Sequence, residues 1–183
     1  MNLKFDQIAV YTDDLPIDVA KVRSGGHPEW TFDKVVATAV MGEESEGEVG
    51  KFEFTADLAF NYSIINGMEF EFIEPGTYSY IKDQGIQPGQ IAHMGVHLLG
   101  GPDSVHDDGA AVPSVKEQIK YLKEKMGLAY PIQRCITTAH ANPNVPHHRR
   151  YSYIIWKSVL YPWPVKTIER ISSTDPVVFP EHV

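Results

Sequence analysis

The sequence predicts a mixed α+β fold in which two βαβββ modules place curved sheets around a cleft, with a helix packed outside each sheet. Three observations predict it. Apolar residues recur with period 2 through most of the chain, two segments carry helix start and stop signals, and the order strand, helix, strand, strand, strand runs twice. At 183 residues the chain has the length of one domain rather than two unrelated ones.

The first module spans 1–75. Phe5 to Tyr11 reads as a strand, with Phe5, Gln7, Ala9 and Tyr11 on one face and Asp6, Ile8 and Val10 on the other. Asp13-Asp14-Leu15-Pro16 opens a short helix, because a carboxylate caps free N–H groups and proline is tolerated in the first turn; Gly25-Gly26 ends it. Thr31 to Met41, rich in Val and Ala, is the second strand, and the acidic run from Gly42 to Glu48 is a solvated loop. Phe52 to Ile64 alternates cleanly enough to bury one face along its length. Asn66-Gly67 suits a two-residue hairpin turn, and Met68 to Glu74 is the returning strand.

Residues 76–90, without a clear period, connect the halves, and the second module with a C-terminal tail spans 91–183. Ile91 to Leu98 is a strand and Gly100 to Ala111 a Gly/Asp-rich loop. Ser114 to Met126 is the best helix signal: Ser114 and Glu117 fit a capping box, Val115, Ile119, Leu122 and Met126 form one stripe, and Gly127 stops it. Tyr130 to Ala139, Tyr151 to Ser158 and Lys166 to Ile171 are the remaining strands.

Composition narrows the function classes. Sixteen Lys and Arg against 24 Asp and Glu leave a net charge of −8, the wrong sign for a phosphate-backbone binder, so nucleic acid is not an expected partner. The lone Cys135 has no internal disulfide partner and reads as a buried structural thiol, which favours the cytoplasm. No signal peptide is expected in the opening residues, and no apolar run approaches the roughly 18 residues that span a bilayer. Phosphate loops, Gly-x-Ser-x-Gly, Cys-x-x-Cys and His-Glu-x-x-His motifs are all missing.

Four fragments in order carry a family likeness: Gln7-Ile8-Ala9-Val10-Tyr11-Thr12-Asp13-Asp14-Leu15, Glu71-Phe72-Ile73-Glu74-Pro75, His93-Met94-Gly95-Val96 and Glu169-Arg170-Ile171. Together they resemble the vicinal oxygen chelate superfamily, the glyoxalase/bleomycin resistance/dioxygenase proteins, over roughly Phe5 to Ile171. The resemblance implies a glyoxalase-like fold and a divalent metal held by Gln7, Glu71, His93 and Glu169. Strand parity is compatible with the first three, since Gln7 shares a face with Ala9 and Tyr11, Glu71 with Glu69 and Ile73, and His93 with Gly95 and His97. One imidazole, two carboxylates and an amide oxygen suit Zn, Ni, Co, Mn or Fe without choosing among them.

A glutamine as first ligand resembles some glyoxalase I enzymes and methylmalonyl-CoA epimerases more than the two-His, one-carboxylate dioxygenases. The resemblance therefore implies a metal-dependent lyase or isomerase acting on a small molecule with vicinal oxygens. The metal would stabilise an enediolate while Glu169, or else Glu71, takes the α-proton. Tyr11, His97, Arg149 and Trp163 are the expected substrate contacts: Arg149, in His147-His148-Arg149-Arg150, for an anionic group, and Trp163, held between Pro162 and Pro164, as a wall. Two alternatives stay open. One is a metal-free protein of the bleomycin-resistance type that sequesters a small ligand against Tyr11, Tyr62, Tyr153 and Trp156; the other is a ring-cleaving dioxygenase. Pairing of the modules within one chain or across a homodimer also stays open.

Overall fold

The computed structural model describes residues 3, 5–26, 31–41, 49–61, 68–76, 80–98, 111–140 and 151–170, with 31–41, 49–61, 135–140, 151–152 and 169–170 described by backbone alone. Strand β1 (Gln7–Tyr11) leads to helix α1 (Leu15–Ser24), followed by β2 (Thr31–Met41), β3 (Val49–Asn61) and β4 (Glu69–Pro75). A single turn, α2 (Tyr80–Asp83), precedes β5 (Ile91–Leu98), α3 (Val115–Met126), β6 (Leu128–His140), β7 (Tyr151–Ser158) and β8 (Val165–Arg170). The fold is mixed α+β.

The eight strands close into a barrel in the order β1-β4-β3-β2-β6-β7-β8-β5. Two pairs are parallel, β1 with β4 and β5 with β8, and every other neighbour is antiparallel. Closure comes from two seams within the one chain, β1 against β5 and β2 against β6. Full closure removes the free strand edges that would otherwise invite pairing with other chains.

Local chemistry explains both long helices. Asp14 caps α1, its carboxylate accepting from the Ile17 N–H at 3.1 Å, with Pro16 in the first turn. The capping box of α3 is complete: Ser114 accepts from the Glu117 N–H at 3.3 Å, and Glu117 accepts from the Ser114 N–H at 2.9 Å. Gly127 ends α3 at φ 60°, where a Cβ would stand 2.7 Å from Leu160 Cγ and 2.8 Å from Val159 Cγ2, so conformation and space both call for glycine. β6 follows at once, two residues earlier than the sequence suggests.

Each helix covers the outer face of its sheet. Leu15 and Val19 of α1 pack with Val22 against Phe70 and Phe72 of β4. Leu122 of α3 packs with Val115, Ile119 and Met126 against Val96, Leu98, Leu128, Trp156 and Val165. Truncating a buried leucine such as Leu122 to alanine removes about 2–5 kcal/mol from a core of this kind. Because strands alternate, covering Phe70 and Phe72 outside turns Glu69 and Glu71 inward; covering Val96 and Leu98 turns His93 and His97 inward. The polar side chains of the sheet thus meet in the barrel's interior.

The acidic run 42–48, the hairpin at Asn66-Gly67, most of the loop after β5, the segment 141–150 and the tail from 171 lie outside the described residues. The connecting segment 76–90, read as aperiodic, contains α2, whose two buried residues, Tyr80 and Ile81, tie it to the core. No helix among the described residues is long and apolar enough to cross a membrane.

Candidate functional site

The two parallel ladders bring four polar side chains to one place. In the first, Gln7 stands opposite Glu69 and Ala9 opposite Glu71; in the second, Gly95 stands opposite Lys166. The seam between them pairs Gln7 with Gly95 and Ala9 with His93. An approximate two-fold relation therefore carries Gln7 to His93, Ala9 to Gly95 and Glu71 to Lys166. The smallest residues, Ala9 and Gly95, stand beside the two charged ones. A Cβ on Gly95 would lie 2.5 Å from Gln7 Oε1 and 2.9 Å from Gln7 Cβ, so only glycine leaves the amide its place.

Hydrogen bonds order the centre. The Gln7 Nε2 amide donates to Glu69 Oε1, which turns Gln7 Oε1 toward His93 Nε2 at 2.9 Å. An amide oxygen only accepts, so His93 Nε2 carries the proton and Nδ1 is the lone pair. Tyr80 supplies the matching donor, its hydroxyl 2.6 Å from His93 Nδ1. The chain from Tyr80 through His93 and Gln7 to Glu69 is fully polarised in one direction.

Beside it stands Glu71. Its Oε2 is 3.3 Å from His93 Nε2 and 3.8 Å from Lys166 Nζ. The approach to His93 is not an aligned hydrogen bond, for Oε2 has no hydrogen-bond partner among the described residues. Lys166 also lies over the Tyr153 ring, 4.7 Å from its centroid. Gln7, Glu69, Glu71, His93 and Lys166 are all buried, none more than 6% exposed.

Burial dominates the electrostatics. It pushes His93 down to about 4, helped by the Lys166 charge, so the imidazole is neutral at pH 7 and the charge that balances Glu71 is Lys166. Burial alone would push Glu71 up, yet Lys166 and the His93 N–H outweigh it and hold that carboxyl below its usual value. Glu69 moves the other way, raised by burial and by the neighbouring Glu71 against the pull of His97 and Gln7. Tyr80 is raised well above its usual value by burial and Glu71, which keeps its hydroxyl a donor.

The donor set does not fit a divalent ion. Gln7, Glu71 and His93 do come together, but the β8 residue at the centre is Lys166, a cation beside the carboxylate that would have to ligate. Among the described residues no three His, Cys, Asp or Glu side chains are grouped to hold a metal. The proposed fourth ligand and first-choice base, Glu169, pairs with Leu98 and Ser152 and has the strand parity of Val165 and Thr167. It stands three residues beyond Lys166, as Glu74 stands three beyond Glu71. Glu74 faces α1, its carboxylate accepting from the Leu15 N–H at 2.8 Å.

The expected substrate contacts are dispersed. His97 is buried on the inner face of β5 but turned to Asp6, whose carboxylate lies 2.9 Å from its Nδ1 and accepts from its backbone N–H at 3.3 Å. Tyr11 is half-buried at the end of β1, and Trp163 is half-buried and stacked on Tyr161 with centroids 5.5 Å apart. Arg149 and Tyr62 lie outside the described residues. Trp156 belongs to the α3 side, where its Nε1 donates to Thr167 Oγ1 at 3.0 Å, whereas Tyr153, an odd number of residues away, faces the interior. Lys166, Glu69 and Tyr80 are the site residues that sequence reasoning missed. Matching the ladders in register, rather than matching glutamates, would have found Lys166.

No family model and no curated protein matches the chain. Several solved structures resemble it, two of them as follows. One is a methylmalonyl-CoA epimerase in complex with methylmalonyl-CoA and NH4+, 11% identical, with 96% of this chain and 100% of the other covered and a TM-score of 0.46. The second is a hypothetical protein from Bacillus halodurans C-125, 17% identical over the same shares of each chain, with a TM-score of 0.44. Likeness of this degree assigns neither family nor activity.

Proposed function

We infer that the chain is a small-molecule isomerase or lyase of the glyoxalase type, its two halves corresponding to the paired modules of the vicinal oxygen chelate proteins, and that it moves a proton on a carbon next to a carbonyl. One observation carries this reading: two carboxylates share a buried centre, and their environments push them apart, Glu71 below and Glu69 above the usual value. Carboxylates separated in this way divide into a base and a proton holder. Glu71, ionised and with an uncommitted Oε2, takes the α-proton; the C–H electron pair moves into the enolate and charge develops on the carbonyl oxygen. The neutral His93 Nε2–H, held in the free protein by Gln7 Oε1 at 2.9 Å, would turn from the amide to that oxygen as charge develops on it. Glu69 holds the proton that the enolate recovers, at the same carbon in an epimerisation or at its neighbour in an isomerisation. No step passes through a metal.

The test is solvent exchange. Small 2-hydroxy ketones, 2-oxo acids and acyl thioesters are incubated with the protein in D2O, and deuterium at the α-carbon is followed by NMR. Exchange above the buffer rate, lost by two or more orders of magnitude in Glu71→Gln, supports the reading. The donor set also favours a second reading, metal-free binding without turnover. Saturable binding of a compound from this panel with no exchange of any member would establish it in place of the first.

A further inference from the structure

We propose that Lys166 stands in for a divalent cation: the centre is built from three metal-type donors and a cation tethered to the chain, and the ammonium holds the substrate oxygen on which charge develops. This deepens the proton-transfer reading and rests on it for the role of the oxygen.

Three observations carry the proposal. First, register places Lys166 where the two-fold relation demands a partner for Glu71, since Ala9 faces the one and Gly95 the other. Second, the remaining groups are those a cation attracts: a carboxylate oxygen without a hydrogen bond, an amide oxygen and an imidazole, with Gln7 Oε1 2.9 Å and Glu71 Oε2 3.3 Å from His93 Nε2. Donor atoms around a small divalent ion at about 2.1 Å stand about 3 Å apart; here that spacing is bridged by the Nε2 proton, which would pass to Nδ1, with the Tyr80 hydroxyl then accepting it, when an ion takes its place. Third, the ammonium is 3.8 Å from Glu71 Oε2, beyond a good hydrogen bond, and its other described contact is the Tyr153 ring. A buried ammonium held by charge and a ring face keeps N–H donors for a ligand oxygen. The ligand class is a carbonyl compound whose oxygen becomes anionic.

If the lysine takes the ion's place, removing it should let an ion in. Binding of Zn²⁺, Ni²⁺ and Co²⁺ to the full chain is measured by equilibrium dialysis and calorimetry for the wild type, Lys166→Ala, Lys166→Glu and the double variant Lys166→Ala/His93→Ala. Circular dichroism checks that each is folded. The wild type should take up no stoichiometric ion, whereas Lys166→Ala should bind one equivalent about 100-fold tighter or more, with a Co²⁺ absorption band. Lys166→Glu, which adds a fourth donor, an oxygen, should bind tighter still and covers the case in which the alanine variant does not fold. The double variant should lose the ion. One equivalent bound by the wild type overturns the proposal, as does the absence of uptake in the folded Lys166 variants. Metal gain without proton exchange on any substrate overturns only the proton-transfer reading; exchange without metal gain overturns only this one.

Discussion

Glu71 and Lys166 sit at matching places in two parallel ladders, contributed by opposite halves of the barrel, and their charged ends are 3.8 Å apart. The pair is buried, so its members depend on each other more than on the solvent. Lys166→Met leaves Glu71 without its counter-charge and should cost about 3–5 kcal/mol in urea denaturation. Adding Glu71→Gln should recover most of that loss. Additive losses in the double variant would show that the two charges are not coupled.

Acid should act on His93. The imidazole is pushed down to about 4 in the fold against 6.5 for an ordinary histidine. Between those values the unfolded chain binds a proton that the folded chain does not, so stability falls as pH falls through the window and is unaffected above it. Glu69, raised by burial, works against this trend, and Glu71, lowered, adds to it at the acid end. Comparison with His93→Gln isolates the imidazole. The loss between pH 7 and 4.5 should be larger in the wild type by about 2–3 kcal/mol.

The tautomer of His93 can be read directly. Tyr80 donates to Nδ1, so ¹⁵N NMR at pH 7 should report protonated Nε2. Tyr80→Phe leaves that buried lone pair without a donor and should cost about 1–3 kcal/mol. A protonated Nδ1 in the wild type would mean that the Gln7 amide is turned the other way.

Gly95→Ala puts a methyl group 2.5 Å from Gln7 Oε1 and should displace the amide, breaking its bond to His93. A loss of about 1–3 kcal/mol is expected for overpacking at such a site. In a Gln7→Gly background, which removes Cβ as well as the amide, the same substitution should cost much less, because the clashing atoms are gone. Equal costs in the two backgrounds would place the strain elsewhere.

Much of the architecture was legible because its signals are local. The capping box at Ser114 and Glu117, the glycine at 127, the Val and Ala content of β2 and the clean alternation in β3 each announce an element within a few residues. Gln7, Glu71 and His93 were singled out by the likeness of their fragments to a known superfamily, with which strand parity is compatible, and the structure brings the three side chains together. Lys166 was not, because register across a parallel ladder depends on loop lengths and on how the barrel closes, and a glutamate three residues on offered a more familiar ligand. Tyr80 was hidden for another reason: one helical turn has no periodicity to detect, and its role depends wholly on a histidine 13 residues away.

The seam between β1 and β5 also sets an order of events during folding. Glu69 and Glu71 belong to one side of it and Lys166 to the other, with 94 residues of chain between Glu71 and Lys166. A half that collapsed alone would desolvate charge of one sign with nothing to oppose it, so its interior should stay wet until the other half docks. Closure of the ring and dehydration of the centre are then one late event. Interactions absent from the transition state act on the rate of escape from the native state, and the Glu71–Lys166 pair should therefore govern how slowly the barrel opens more than how fast it forms.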